Sequence, residues 1–350
     1  MKTLVVNERM GVEVKEVPVP AYNEHQALVK MIVCGICNGT DAKLIHHTFK
    51  GFDASDYPLV LGHEGVGRVV EIGAKVTGYR KGDIVLLPFV DADEKRYGNL
   101  RSGWGAFSEY GVVCDRESYD QEEDIPECAY AQTIVPPTID AIDGAMIITI
   151  REVLSSIHRF GIKPEDSVVV FGVGPVGQTF IKFLSLLNVK TIIAFDVHDE
   201  RKAEALEKGA HYAYNSRKQE PYETVRAICP DGVDYVIDAV GMLALINQGM
   251  ELIKDGGKIC CYGIAPKTQF EVDWSKAPYN WSLCFQQFPS KKEEGAVTEQ
   301  VLNWIESGEI VLKDYISDYF TFTEVLEALD KLENREISKK GIVVFEEGKQ

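Results

Sequence analysis

Four residues in the first fifth of the chain have side chains suited to chemistry: Cys37 and Thr40 in Cys34-Gly35-Ile36-Cys37-Asn38-Gly39-Thr40-Asp41, then His63 and Glu64 in Gly62-His63-Glu64-Gly65. Thiolate, imidazole and carboxylate together are the donor set of a tetrahedral zinc with one position left open to substrate. The same residues admit plainer readings. Cys34 and Cys37 have the spacing of a redox pair, although redox pairs of the thioredoxin type open a helix in a different fold. His63 taken alone reads as a packed histidine, and Glu64 as a surface acid.

A second constellation lies near the middle of the chain. Gly172-Val173-Gly174-Pro175-Val176-Gly177 follows the apolar run Ser167 to Phe171 and opens the helix-like text from Val176. In this spacing the first glycine makes a tight turn, the second lets backbone approach a pyrophosphate, and the third lets helix pack on sheet. The N–H groups and dipole of the helix start then hold phosphate charge. Asp196, 24 residues after Gly172 and at the end of the next strand-like run, is placed to bind ribose hydroxyls. Its carboxylate would repel a 2′-phosphate, so NAD is expected rather than NADP. Arg201, five residues later, is the main cation set against that choice, read as lying along the adenine or in solvent. The plain alternative is a βα turn followed by a surface aspartate.

The elements that must position these groups fall into two textures. Thr3 to Val6, Gly11 to Val17, Gln26 to Ile36 and Gly65 to Ile72 are β-branched runs separated by Pro, Gly and Asn, which predicts a β-rich first third. From about Thr149 strands and helices alternate: helix Ile150 to Phe160, strand Ser167 to Phe171, helix Val176 to Leu187, strand Lys190 to Phe195 and helix Glu200 to Lys208. Strand Tyr235 to Asp238, helix Ala244 to Ile253 and strand Gly257 to Gly263 continue the pattern. Alternation of this kind predicts βαβ units and a parallel sheet, hence an α/β fold. Helices at Ala296 to Ser307 and Thr323 to Asn334 and a strand at Gly341 to Phe345 end the chain.

Composition removes several classes of function. Fifty-four acidic against 37 basic residues give a net charge of -17, which repels a nucleic-acid backbone. The acidic stretch Asp115 to Glu127 reads as a solvated loop. Eight cysteines in 350 residues are too sparse for a disulfide framework, so reduced thiols or metal ligands are expected. Apolar runs are too short to cross a bilayer, and the N-terminal residues lack a secretory core, which together predict a cytoplasmic protein without a membrane partner.

The run Tyr57-Pro58-Leu59-Val60-Leu61-Gly62-His63-Glu64-Gly65-Val66-Gly67-Arg68-Val69-Val70-Glu71-Ile72-Gly73 resembles the signature of the zinc-dependent alcohol dehydrogenase family of the medium-chain dehydrogenase/reductase superfamily. Gly78 to Val85, Gly105 to Tyr110 and Asp234 to Gly241 resemble further blocks of that family, so the likeness covers essentially the whole chain. It implies a GroES-like, β-rich catalytic domain from 1–148 and 290–350, with a Rossmann NAD-binding domain, 149–289, inserted between. It also implies zinc ligands at Cys37 and His63, Glu64 as a ligand or close neighbour of the metal, Cys34 as a packed neighbour, and Thr40 as the proton-relay hydroxyl.

Three departures from the family pattern bear on those roles. The stretch after Cys37 is one residue longer than usual. Lys43 stands where relatives carry a relay histidine, leaving His46 or His47 as substitutes. Ile148 stands where relatives supply a further acidic ligand, and Glu152, one helical turn on, is expected to stay outside the metal shell. With only Cys114 between Val85 and Asp120, a second, structural zinc is not expected, so one catalytic zinc per chain is. The resemblance implies NAD-linked oxidation of a secondary alcohol of a polyol, sugar or cyclitol, in a homodimer or homotetramer. Two alternatives remain: a zinc-free quinone or enone reductase of the same superfamily, and a non-catalytic NAD-binding protein.

Overall fold

Strand Gln26–Ile36 is buried at ten of its eleven residues, because it has hydrogen-bonded neighbours along both edges. One edge takes strand Glu64–Ile72 antiparallel, with Glu64 opposite Gly35. The other takes Tyr110–Cys114 beside its first half and Lys340–Val344 beside its second, with Gly341 opposite Ile36. The end of one strand, the start of another and a strand more than 270 residues later therefore meet at the same corner of one sheet. Ile316–Thr321 and Ile84–Leu86 complete that sheet at its two sides. A tight turn after Ile36, in which the amides of Thr40 and Asp41 both donate to the Cys37 carbonyl, leads into a short helix, Asp41–Ile45.

This is a computed structural model, and it describes residues 1–90, 96, 97, 99–265, 267 and 269–345. The chain divides into two units, Met1–Arg151 with Ser290–Gln350, and Glu152–Pro289. In the second unit six strands are all parallel, and in chain order they lie third, second, first, fourth, fifth, sixth across the sheet. That is the doubly wound dinucleotide-binding order, whose crevice opens at the carboxyl ends of the first and fourth strands. Here those strands are Ser167–Phe171 and Val233–Asp238. Among the described residues no helix is long and apolar enough to cross a membrane.

Most sequence-predicted elements stand within a few residues of their expected ends, and the exceptions have more than one cause. Strands Tyr212–Asn215 and Ser282–Phe285 lie at the two edges of the parallel sheet, where burial on both faces is lost and the continuous apolar signal with it. Helix Pro221–Ile228 is likewise absent from the sequence reading. The helix expected over 296–307 is Thr298–Glu306, the second of two; the first, Lys291–Ala296, is absent from the sequence reading. A capping box on Ser290 and Glu293 starts the first earlier than apolar periodicity indicates.

The turn after Phe171 depends on its glycines to different degrees. Gly172 takes a φ of 91°, and a Cβ on Gly177 would lie 1.8 Å from the Gly172 carbonyl oxygen, whereas a Cβ on Gly174 would meet nothing within 4 Å. Gly177→Ala is accordingly expected to lower stability by about 1–3 kcal/mol, as overpacking does. Gly174→Ala is expected to stay within about 0.5 kcal/mol of wild type. Urea unfolding midpoints of the two variants check this, and equal midpoints would contradict the packing assigned to Gly177.

Candidate active site

Cys37, His63 and Glu64 each offer a ligand atom, and these atoms lie within 4.8 Å of one another. His63 Nε2 is 4.0 Å from Glu64 Oε1. Zinc bonds of about 2.0–2.3 Å in tetrahedral geometry need donor atoms slightly closer than this, so a small contraction seats the ion. Among the described residues this is the one group of three or more His, Cys, Asp or Glu side chains that could hold a metal. Glu152 and Ile148 are outside it, and Ile148 is a fully buried apolar side chain.

The sheet corner explains why such polar groups can be buried there. Glu64 is 2% exposed, yet Lys340 Nζ donates to both of its oxygens at 2.7 Å and Thr149 Oγ1 donates to Oε1 at 2.9 Å. Burial alone would raise its pKa, but the charges of Lys340 and His63 and the hydrogen bonds from Lys340 and Thr149 win, and the carboxyl is held below its usual value. Asp41, fully buried, accepts the Cys37 amide at 2.9 Å through Oδ2 and faces His63 Nδ1 at 3.4 Å through Oδ1. That Oδ1 and that Nδ1 are buried with no other partner, so the proton of the imidazole belongs on Nδ1 and Nε2 is left to face Cys37 and Glu64. Burial opposes a charge on His63, but Asp41 and Cys37 overcome it and hold the pKa well above the usual histidine value. A pocket of acids that draws a cation onto its imidazole fits a zinc ion, whose charge answers the same need.

The other residues singled out from sequence take distinct places. Cys34 is fully buried in strand Gln26–Ile36, where burial pushes its thiol well above the usual range. Thr40, 3% exposed, stands at the start of helix Asp41–Ile45 and makes no capping hydrogen bond with its side chain. Lys43 is partly buried, which lowers its pKa, while Cys37 pulls the other way. Neither substitute histidine is turned to the cluster. His47 stacks on Tyr57 at 3.7 Å and bonds the Asn7 carbonyl, and His46 lies 3.4 Å from Glu333. Sequence reasoning missed Asp41, Lys340 and Thr149, and it left Trp104 unassigned. The Trp104 ring centroid is 5.5 Å from that of His63, and Phe49 and Phe52 sit beside it.

In the second unit, Gly174 caps helix Pro175–Leu186, which starts with Pro175 and Val176 and whose third residue is Gly177. Asp196 ends strand Thr191–Asp196, and its Oδ2 accepts the Val173 amide at 2.8 Å, tying the glycine turn to the neighbouring strand end. Its Oδ1 accepts the His198 amide at 3.0 Å. Arg201 donates to Glu204 at 2.6 Å, and the same Glu204 oxygen accepts Gln178 Nε2, so the guanidinium is neutralised along its own helix.

Two family models match this chain: the alcohol dehydrogenase GroES-like domain over residues 23–121 and the zinc-binding dehydrogenase over residues 175–305. The chain belongs to the zinc-type alcohol dehydrogenase family of the medium-chain dehydrogenase/reductase superfamily. It is 28% identical to a sorbitol dehydrogenase of Bombyx mori, covering 93% of each chain, and 26% identical to an alcohol dehydrogenase of Cupriavidus necator, covering 96% of each. A galactitol-1-phosphate dehydrogenase from Escherichia coli has the same fold, with a TM-score of 0.80 at 19% identity over 98% of this chain and 100% of that one. This zinc-type dehydrogenase is therefore an oxidoreductase, and zinc and a nicotinamide dinucleotide are its cofactors.

Removing one partner of a buried ion pair strands the other charge, at a cost of about 3–5 kcal/mol. Lys340→Met should therefore destabilise the metal-free protein by that amount in urea, while Lys340→Arg retains most of its stability. Because pairing lowers the Glu64 pKa, the contribution is full above about pH 4.3, the unfolded value. It is lost as pH falls through the lower folded value. Unfolding curves for the three proteins at neutral pH, and for wild type on acidification, test both statements.

Proposed function

We propose that this enzyme oxidises a secondary alcohol of a polyol, sugar or cyclitol with NAD, using one zinc held by Cys37, His63 and Glu64. The observation that carries the reading is the convergence of thiolate, imidazole and carboxylate within 4.8 Å at a buried sheet corner. Three protein ligands with one open position are the pattern of catalytic rather than structural zinc. A zinc ion there supplies the Lewis acidity that lowers the pKa of an alcohol oxygen. Asp41 fixes the His63 ring through Nδ1, and Lys340 fixes the Glu64 carboxylate. Trp104, with Phe49 and Phe52, walls the His63 side and excludes water. The Thr40 hydroxyl is assigned to accept the alcohol proton, and a bound nicotinamide would supply the hydride acceptor. Sorbitol and galactitol-1-phosphate dehydrogenases among the similar proteins support a polyol substrate.

NAD is favoured over NADP on two grounds. The Asp196 carboxylate at the strand end accepts ribose hydroxyls and repels a 2′-phosphate, and Arg201 is already countered by Glu204. The backbone from Gly172 through Gly174, Pro175, Val176 and Gly177 offers the pyrophosphate an approach that no side chain at Gly174 obstructs. The enzyme is further proposed to work in the cytoplasm as a homodimer or homotetramer, as expected of the family.

Cys37→Ser and His63→Ala should lose zinc and turnover together while NAD binding survives, read by metal analysis, an NADH-forming assay over a polyol panel and cofactor titration. Full zinc content with full turnover in either variant would reject the ligand set. Glu64→Gln should reduce turnover by more than it reduces zinc content. Wild type should show higher kcat/KM with NAD than with NADP, and Asp196→Ala should narrow that gap; a wild-type preference for NADP would reverse the cofactor assignment.

A further inference from the structure

Around the carboxyl end of strand Thr191–Asp196, the basic side chains of His198, Arg201, Lys202 and Lys218 are each matched by an acid. Lys202 and Lys218 share Asp199, His198 faces Glu200 at 3.7 Å, and Arg201 pairs with Glu204 at 2.6 Å. The last pair is the least exposed of these, its side chains 20% and 33% open, so water and salt screen it less.

Glu204 is also held in place from its other side. The oxygen that accepts Arg201 accepts Gln178 Nε2 at 2.7 Å. Gln178, 1% exposed on helix Pro175–Leu186, gives the same nitrogen to the Val173 carbonyl at 3.1 Å. An amide buried where a helix packs on a sheet is retained with its hydrogen bonds made. Val173 is therefore tied twice, its amide to Asp196 and its carbonyl, through Gln178, to Glu204.

Arg201 lies in the first turn of helix Glu200–Glu207, at the positive end of the helix dipole, where an anion beside a guanidinium is favoured. Two anions compete for that place. One is the Glu204 carboxylate, one turn along the helix; the other is the 2′-phosphate of NADP, for which an arginine close to the ribose is the usual partner. A guanidinium already neutralised by a carboxylate adds little to phosphate binding, because the phosphate must displace the carboxylate or lie against its charge.

We propose that Glu204 is a specificity-determining residue for the nicotinamide cofactor: anchored by Gln178, it withholds Arg201 from a 2′-phosphate. The inference rests on the NAD preference proposed above, and it divides that preference between two carboxylates. Asp196 acts at the ribose itself, and Glu204 acts through the arginine.

The test uses the full-length, zinc-loaded enzyme and two probes that differ only by the 2′-phosphate, 5′-AMP and adenosine 2′,5′-bisphosphate, titrated by calorimetry. Wild type should bind 5′-AMP more tightly. Glu204→Gln removes the charge and keeps the acceptor for Gln178. It should shift the ratio of the two dissociation constants toward the bisphosphate by about three- to fivefold, the factor that release of a partly exposed ion pair allows. The ratio of kcat/KM for NADP to that for NAD should rise in step. Adding Arg201→Leu to Glu204→Gln should cancel the gain. An unchanged ratio in Glu204→Gln, or a gain that survives the loss of Arg201 and so belongs to another cation such as Arg217, would overturn the inference and leave the NAD reading standing. Tighter binding of the bisphosphate by wild type would overturn both. Glu204→Ala, expected to shift the ratio in the same direction, decides where the glutamine variant folds poorly.

Discussion

A carboxylate and an ammonium taken out of water together, 276 residues apart in the chain, set the terms for the rest of the first unit. Neither Glu64 nor Lys340 could stay charged there alone, since an isolated buried ion costs far more than a folded domain has to spare. Holding them at 2.7 Å requires strands Glu64–Ile72 and Lys340–Val344 to flank the same strand, Gln26–Ile36. The first unit must therefore be built from both ends of the sequence. Once that sheet closes, Cys37 at the end of its central strand and His63 just before its neighbour are carried to the same corner.

The candidate site is an electrostatic problem solved in layers. Asp41 bridges the Cys37 amide and the His63 ring, so backbone and side chain are oriented by one buried carboxylate. Glu64 would otherwise compete for the imidazole, and Lys340 and Thr149 restrain it at a fixed distance. The result is a donor set whose free faces converge on one point. That convergence is the physical basis of the proposed zinc role, and it makes the orienting groups as important as the ligands.

In the second unit the local demand falls on the backbone of the glycine turn that follows strand Ser167–Phe171. The glycine turn presents backbone N–H groups, and Asp196 fastens that turn to the adjacent strand through the Val173 amide. Neutralising Arg201 with Glu204 leaves the strand end acidic, which bears on the choice between the two nicotinamide cofactors.

Much of this was legible from local pattern. A strand buried on both faces is a continuous β-branched run, as in Ser167–Phe171, and the glycine spacing with Asp196 states its own geometry; these are constraints of neighbouring residues and survive without the fold. Cys37, His63 and Glu64 are likewise marked by donor type and spacing. Asp41 left a faint trace, an aspartate four residues after a cysteine at a helix start. Lys340 left none, because a lysine in a terminal strand is ordinarily solvated and nothing nearby says that its partner is Glu64. Pairing across 276 residues and the packing of Trp104 beside His63 were decided by the tertiary structure, since each depends on which strands become neighbours.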